Sequence, residues 1–499
     1  MPRERLRILF MASEAAPYAK TGGLADVAGA LPRALAGLGH DVRILMPKYR
    51  GIESRAGALT LAASGIRVPL GERTAEGALF EARAPGGVTV YFLAHDHYYD
   101  REALYGTADG DYWDNCERFI YLCRGGLEAA AALGAQGWRP QVIHANDWQT
   151  GLVPVYLQTL YRAHPVLGSI ATLFTIHNLA YQGVFWHYDM PMTGLGWDLF
   201  TPAALEFYGR LNFLKGGLVF SELLTTVSRT YAQEIRSAAF GAGLEGVLEE
   251  RSADLHGVVN GIDYEAWNPA TDAVLAKRYG PGELESKAIC RQALQDEMGL
   301  ERGGGPIVGM VTRLATQKGL DLTLDALPGL LATSARLVLL GSGDAPLEEA
   351  FVAAAAAYPG RVAVRIGYND DLARRIYAGS DCFLMPSRYE PCGLGQLIAL
   401  RYGSVPIVRR TGGLADTVKE VDPARRTGTG FLFDAFAVDA LVEAVRRAAA
   451  AHADPALWTA IVRNGMAEDF SWDASAREYV TLYRKAMKAR TIRERESQP

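Results

Sequence analysis

The sequence predicts an α/β protein of two Rossmann-like domains with parallel sheets facing across a deep cleft, and three observations carry that prediction. At 499 residues the chain is too long for a single hydrophobic core and suits two. Short β-branched runs alternate with amphipathic helical stretches almost throughout, the pattern of parallel α/β units. The hexapeptide TGGLAD occurs twice, at 21–26 and 411–416, each time after a strand and at the start of a helix. The recurrence is local, since the halves show no further repeat. It predicts one similar glycine-rich helix N-terminus per domain.

The elements come in order along the chain. Residues 6–11 form a strand, a glycine-containing loop comes next, and a helix carries Leu24, Val27, Ala28, Leu31, Leu35 and Leu38 on one stripe. Gly39 ends that helix, and 42–46 is the next strand. Further strands are expected at 142–144, 173–176 and 224–227, with 258–259 closing this half. NGIDYEAWNPATD (260–272) has turn chemistry and little periodicity, so the inter-domain connection is expected there. A second series runs through 307–311, 337–340, 362–366, 383–385 and 407–408. FSWDASAREYVTLYRKAM reads as an amphipathic helix, and the final TIRERESQP as a frayed end.

Bulk properties exclude several classes. A formal net charge of -5 gives no global field to recruit nucleic acid or an anionic membrane. Cys116, Cys123, Cys290, Cys382 and Cys392 are scattered, with no C-x-x-C pair and no zinc spacing, which argues for a reducing compartment. MPRERLRILFMASEAAP imitates a signal peptide, but its apolar run at 8–12 is short and Glu14 breaks the small-residue stretch after it. No apolar run approaches the ~20 residues that cross a bilayer. The expectation is a cytoplasmic protein without transit peptide, nucleic-acid partner or membrane partner.

In open parallel sheets, ligands bind outside the carboxyl ends of the strands. Asp147, His177, Asn178, Asn260 and Arg313 sit at such ends. Any one of them could be a helix cap or turn former; capping does not call for this set together. Gly22-Gly23 and Gly412-Gly413 open helices, where glycine admits a ligand and free N–H groups favour an anion, although for either pair taken alone a tight βα turn is the favoured reading. No P-loop is present, nor a G-x-G-x-x-G in the first βα turn, and GSGD (341–344) reads as structural.

TRLATQKGLD places Arg313 and Lys318 on a loop entering a helix, where two cations could neutralise a diphosphate; the alternative is a solvated basic loop. SRYEPCGLGQL places Glu390 where it could bind sugar hydroxyls, with the backbone N–H groups of 393–395 available to phosphate. Otherwise Glu390 only favours a helix N-terminus by ~0.3–1 kcal/mol. Cys392 has no histidine beside it and reads as packing. Asp109-Gly110-Asp111 imitates an Asp-x-Asp metal site, but no strand is expected to deliver it, and no metal site is assigned.

KTGGLADV (20–27), HANDWQTG (144–151), TIHN (175–178), VVNGID (258–263), TRLATQKGLD, SRYEPCGLGQL and TGGLADTV (411–418) together resemble the glycogen and starch synthase family, in order over nearly the whole chain. That resemblance implies the GT-B fold, with a C-terminal helix crossing back to the first domain. It sets the expected division at 1–262, 263–470 and 471–490. It implies retaining transfer of glucose from ADP-glucose, or UDP-glucose as in some members, to the non-reducing 4-OH of an α-1,4-glucan, with no metal and no cofactor.

Carried over by position, Arg313 and Lys318 hold the diphosphate and offset charge on the leaving ADP. Glu390 binds donor hydroxyls, with Cys392 and Gly393 beside it, and the backbone of Gly393, Leu394 and Gly395 together with Thr411 helps hold phosphate or ribose. Tyr368 stacks on the base, adenine or uracil alike. Lys20, Gly22, Gly23 and Asp26 serve the reacting centre from the first domain, and Asp147, His177, Asn178 and Asn260 line the sugar pocket. The family's same-face attack, in which the leaving phosphate takes the acceptor's proton, leaves no nucleophile or general base to name. Asn146 stands where bacterial members often have His, and Gly395 where many relatives have a side chain such as Thr. A relative with another donor or acceptor and a catalytically dead glucan-binding protein are the competing readings; intact Lys20, Arg313, Lys318 and Glu390 weigh against the second. Homo-oligomerisation is left open.

Overall fold

The computed structural model describes residues 5–107 and 109–496. The chain divides into two compact units, one made of the described residues of 1–227, 232–261 and 472–499, the other of 228–231 and 262–471.

The first unit begins with β1 (Arg7–Met11), whose RILFM is apolar from its second residue onward because both faces are covered. α1 (Gly23–Gly37) and β2 (Asp41–Pro47) come next, with Gly39 in the left-handed region at φ 91 between them. An antiparallel hairpin of β3 (Thr60–Leu70) and β4 (Arg73–Arg83) precedes β5 (Thr89–Ala94). Then come α2 (Asn115–Ala135), β6 (Val142–Asn146), α3 (Leu152–Gln158), β7 (Ala171–Ile176), α4 (Phe213–Phe220), β8 (Leu223–Thr226) and β9 (Leu255–Gly257).

Among the described residues these strands form a nine-stranded sheet in the order β9-β8-β7-β6-β1-β2-β5-β4-β3. The segment from β9 to β5 is parallel throughout. The parallel sheet was expected; its antiparallel edge was not. β3 is exposed or half-buried over its first half and carries Pro69, which an edge strand tolerates because a ladder donor is dispensable there. β9 lies at 255–257 rather than at 258–259. LHG has no β-branched run to announce it, and after Val258 donates to the Thr226 carbonyl the chain leaves the sheet.

The second unit holds α5 (Lys287–Met298), β10 (Ile307–Val311), α6 (Leu320–Ala332), β11 (Arg336–Gly341), α7 (Ala345–Ala357), β12 (Val362–Ile366), α8 (Asp370–Gly379), β13 (Cys382–Met385), α9 (Gly395–Arg401), β14 (Val405–Arg409), α10 (Gly412–Thr417), β15 (Phe431–Phe433), α11 (Val438–His452) and α12 (Pro455–Ala467). Its sheet is parallel, in the order β12-β11-β10-β13-β14-β15. The three-residue β15, FLF, is too short to stand out by period. Counted along the chain, this is the 3-2-1-4-5-6 order of a doubly wound sheet. The parallel part of the first unit has the same order with one more strand. Each sheet therefore reverses direction at one point, between β1 and β6 in the first unit and between β10 and β13 in the second.

The last helix, α13 (Trp472–Glu496), belongs to the first unit. Tyr483 on α13 and His144 on β6 share a 2.8 Å hydrogen bond inside the core. Arg490 and Arg493 of α13 reach Glu222, whose side chain is wholly buried, at 3.4 and 3.2 Å. That buried acid explains why 491–496 is helical where a frayed end was expected; 497–499 lie outside the described residues, as do 1–4 at the start. No described helix is long and apolar enough to cross a membrane.

Candidate functional site

Strand order fixes the switch points before any side chain is considered, and most of the residues the sequence singles out flank one of them. In the first unit, the loop after β1 carries Glu14, Lys20 and the first TGGLAD. The end of β6 carries Asn146 and Asp147, and the end of β7 carries His177 and Asn178. Asp147 is the backbone outlier among them, with φ 55 and ψ -178. A non-glycine residue held there stores of order 1–3 kcal/mol, which the surrounding structure must outweigh. The peptide N–H of His177 holds it by donating to its carboxylate at 2.7 Å.

Burial pushes the Asp147 carboxyl up to about 7, against the backbone N–H groups of His177 and Asn178; the Glu14 charge adds to the rise. Burial lowers the His177 imidazole to about 3, so it is neutral at ordinary pH. The Asn146 amide nitrogen donates to the carbonyls of Met11 and His144, which turns its oxygen toward His177 Nε2 at 2.9 Å. Nε2 must then carry the proton, leaving Nδ1 as the ring's acceptor. Asn146 thus sets the histidine tautomer.

Lys20 Nζ donates to Asp26 Oδ1 at 2.7 Å. Desolvation raises the Asp26 carboxyl, Lys20 opposes the rise, and Glu14 adds to it. Gly22 and Gly23 face open space, with nothing within 4 Å of a Cβ placed on either. The Asn178 oxygen accepts from its own Ala180 N–H, a turn contact. Asn260, 6% exposed, keeps its carboxamide oxygen buried without a hydrogen-bond partner among the described residues. Such an orphan acceptor is costly and suits a ligand hydroxyl.

In the second unit the switch point gathers the charged set. Lys318 closes a 3-10 turn after β10. Gly319 is next at φ 67, where a Cβ would lie 2.1 Å from the Pro386 carbonyl oxygen. That close approach sets Lys318 beside Glu390, and its ammonium donates to both carboxylate oxygens at 2.9 and 2.7 Å. Ser387 donates to Glu390 at 2.8 Å. Arg313 is exposed at the end of β10, with no ion-pair partner among the described residues. Tyr368, 81% exposed, stands beyond β12. The loops after β10 and β13 thus supply two cations suited to an anionic leaving group and a carboxylate held by one of them.

The second TGGLAD differs from the first, although similar helix N-termini were expected. A Cβ on Gly412 would lie 1.9 Å from the Glu390 carbonyl oxygen, and one on Gly413 2.0 Å from that of Cys392. The Gly413 N–H is taken by the Glu390 and Pro391 carbonyls, and the Thr411 N–H by that of Arg409. Cys392 and Thr411 are buried. Gly393 is left-handed at φ 73, Leu394 is half-buried, and a Cβ on Gly395 would come within 3.0–3.4 Å of Phe383, Met385 and Tyr377. Gly110–Asp111, expected to lie off any strand, forms a two-residue ribbon with Gly106–Thr107. Among the described residues no three His, Cys, Asp or Glu are grouped to hold a metal ion.

Glu14, Asn146, Ser387 and Tyr105 complete these networks. Glu14 had one signal in the sequence, a lone acid in the apolar segment MASEAAPYA just ahead of a glycine loop.

Residues 7–250 match the family model described as starch synthase catalytic domain, and 293–458 match glycosyl transferases group 1. A glycogen synthase of Anaeromyxobacter sp. (strain Fw109-5) is 52% identical over 96% of this chain and 99% of its own length. One from Syntrophotalea carbinolica is 49% identical over 97% and 99%. The catalytic domain of starch synthase IV from Arabidopsis thaliana, solved bound to ADP and acarbose, superposes with a TM-score of 0.88 at 34% identity, covering 97% of this chain and 100% of that one. Sucrose-phosphate synthase from Thermosynechococcus elongatus traces the same course with a TM-score of 0.58 over 97% and 100%; at 18% identity it bears on the fold alone.

Proposed function

We propose, for a chain that belongs to the glycogen synthase family of GT-B glycosyltransferases and transfers glucosyl units to a glucan, that the donor is ADP-glucose and the acceptor the non-reducing 4-OH of an α-1,4-glucan. The observation that carries this reading is the Lys318–Glu390 pair at the switch point of the second unit, with Arg313 on the same loop as Lys318. A diphosphate entering there meets two cations, and the carboxylate that Lys318 releases is free to take donor hydroxyls. The ADP and acarbose bound to the starch synthase neighbour support the choice of nucleotide and glucan.

In the transfer, the bond between the anomeric carbon and the phosphate oxygen breaks while the acceptor oxygen attacks from the same face. The acceptor's proton passes to the leaving phosphate. Negative charge grows on the ADP, and Arg313 and Lys318 offset it; removing such a partner costs ~2.7–4 kcal/mol of barrier by analogy with an oxyanion hole. The first unit supplies Lys20 and Asp26, the neutral His177 with Nδ1 as acceptor, Asp147 and Asn178, and the unpaired Asn260 oxygen for hydroxyls of the transferred glucose. In the second, Tyr368 gives the base a stacking face, while Cys392, Gly393, Leu394, Gly395 and Thr411 shape the wall beside the phosphates. Metal and cofactor take no part. Five free, buried cysteines fit a reducing, cytoplasmic setting.

Incorporation of labelled glucose into glycogen tests this, comparing ADP-glucose with UDP-glucose, each with and without EDTA. Transfer from ADP-glucose that survives EDTA is expected. A preference for UDP-glucose would overturn the donor, and loss of activity in EDTA would overturn metal independence.

A further inference from the structure

We infer that Glu14 is a positioning residue for the transfer, its buried carboxylate holding the loop at 20–23 in the shape that presents Lys20. The inference rests on the proposed part of Lys20 in the transfer. Glu14 is 4% exposed, and among the described residues no Lys, Arg or His comes within ion-pair distance of it. Its charge is met by four donors instead: the Thr21 N–H at 2.5 Å, the Gly22 N–H at 3.3 Å, the Thr21 hydroxyl at 2.7 Å and the Tyr105 hydroxyl at 2.8 Å. The Tyr105 oxygen also shares a 2.7 Å contact with the Ser13 hydroxyl. A buried carboxylate is tolerated only when its oxygens are filled in this way.

Three of the four donors belong to Thr21 and Gly22, the residues just after Lys20. Steric packing does not shape this loop, because a Cβ on Gly22 or Gly23 would touch nothing. Gly22 caps α1 without a side-chain bond. Two glycines in open space are the softest backbone available, so the loop needs an attachment from outside itself. Glu14 provides it, fixing both the peptide and the hydroxyl of Thr21 and hence the direction in which the chain leaves Lys20.

Glu14→Ala and Glu14→Gln, compared with wild type for kcat, ADP-glucose KM and thermal unfolding, test the assignment. In Glu14→Ala, kcat is expected to fall about 100-fold while the ADP-glucose KM stays within about threefold, as for a group that orients the reaction without binding the donor. Glu14→Gln is expected to recover most of the rate. Its amide oxygen can accept from the two backbone N–H groups, and the Thr21 and Tyr105 hydroxyls can turn to accept from its amino group. A Glu14→Ala enzyme within about threefold of wild-type kcat would overturn the inference. So would a Glu14→Gln enzyme that folds and is as slow as Glu14→Ala, since charge rather than attachment would then be at work. Wild type inactive with both nucleotide sugars would instead sink the reading of function, whatever the variants do.

Discussion

At 21–26 the two glycines of TGGLAD have open space where side chains would be; at 411–416 the two glycines of the same hexapeptide have backbone carbonyls there. In the second unit the glycines are obligatory because the Glu390 and Cys392 carbonyls occupy the places of their missing side chains. Asp416 is turned to capping there, accepting from the Arg229 N–H at 2.5 Å and from the Thr230 N–H and hydroxyl at 3.0 and 2.6 Å. In the first unit nothing lies where a side chain on either glycine would be, Asp26 pairs with Lys20, and Glu14 accepts from the Thr21 and Gly22 N–H groups. The residue ahead of each copy differs in the same sense, since Arg410 turns away to Asp434 at 2.7 Å. One peptide thus gives close backbone packing in one place and room for a ligand in the other. Identity of a motif is no guarantee of identity of role.

The largest effect should separate the two flanking cations. Lys20→Ala, like Lys318→Ala, should lower kcat by about 100- to 1000-fold without unfolding the protein, whereas Arg410→Ala should stay within a few-fold. Equal losses at Lys20 and Arg410 in steady-state assays would erase the contrast. Stability ranks second. Gly412→Ala or Gly413→Ala should cost about 1–3 kcal/mol or abolish folding, while Gly22→Ala and Gly23→Ala should stay within about 0.5 kcal/mol by denaturant unfolding. A smaller difference is expected at the acids. Asp416→Ala loses a cap worth about 1 kcal/mol, and Asp26→Ala a half-exposed pair worth less.

The finest effect is on pH. Asp147 binds its proton up to about 7 in the folded protein against 3.8 ordinarily, so between those values the folded state holds more protons and stability falls as pH rises. Asp147→Asn should flatten that slope in melts taken from pH 4 to pH 8; an unchanged slope would place its origin elsewhere.

Much of this is legible in the sequence, and the reasons it is or is not are physical. β1 and β10 announce themselves because a strand covered on both faces must be apolar throughout. Arg313, Lys318 and Glu390 can be read because charge at a strand's carboxyl end has few structural uses. The hairpin of β3 and β4 does not stand out, since an edge strand with Gly65 and Pro69 lacks the regular alternation of a half-buried one. Glu14 escapes sequence reasoning because a buried carboxylate is recognised by the donors around it, and Tyr105 lies 91 residues away. The second TGGLAD reads as a ligand loop because the carbonyls that fill its space belong to Glu390 and Cys392, some 20 residues earlier, and no local pattern records that approach.

The attachment of α13 to the first unit has a consequence for how the protein is made. His144 on β6 and the buried Glu222 just before β8, bonded early to Thr175 and to Gln158 and Thr172, are synthesised long before Tyr483, Arg490 and Arg493, which complete their pairing. The N-terminal unit cannot reach its final packing on the ribosome until the last helix has emerged, so it inverts the usual order in which the first domain made is the first finished. The interposed second unit contains every strand of its own sheet and can complete that sheet first. A stop codon that removes only the last turns of the chain would therefore injure the half of the protein that was translated first.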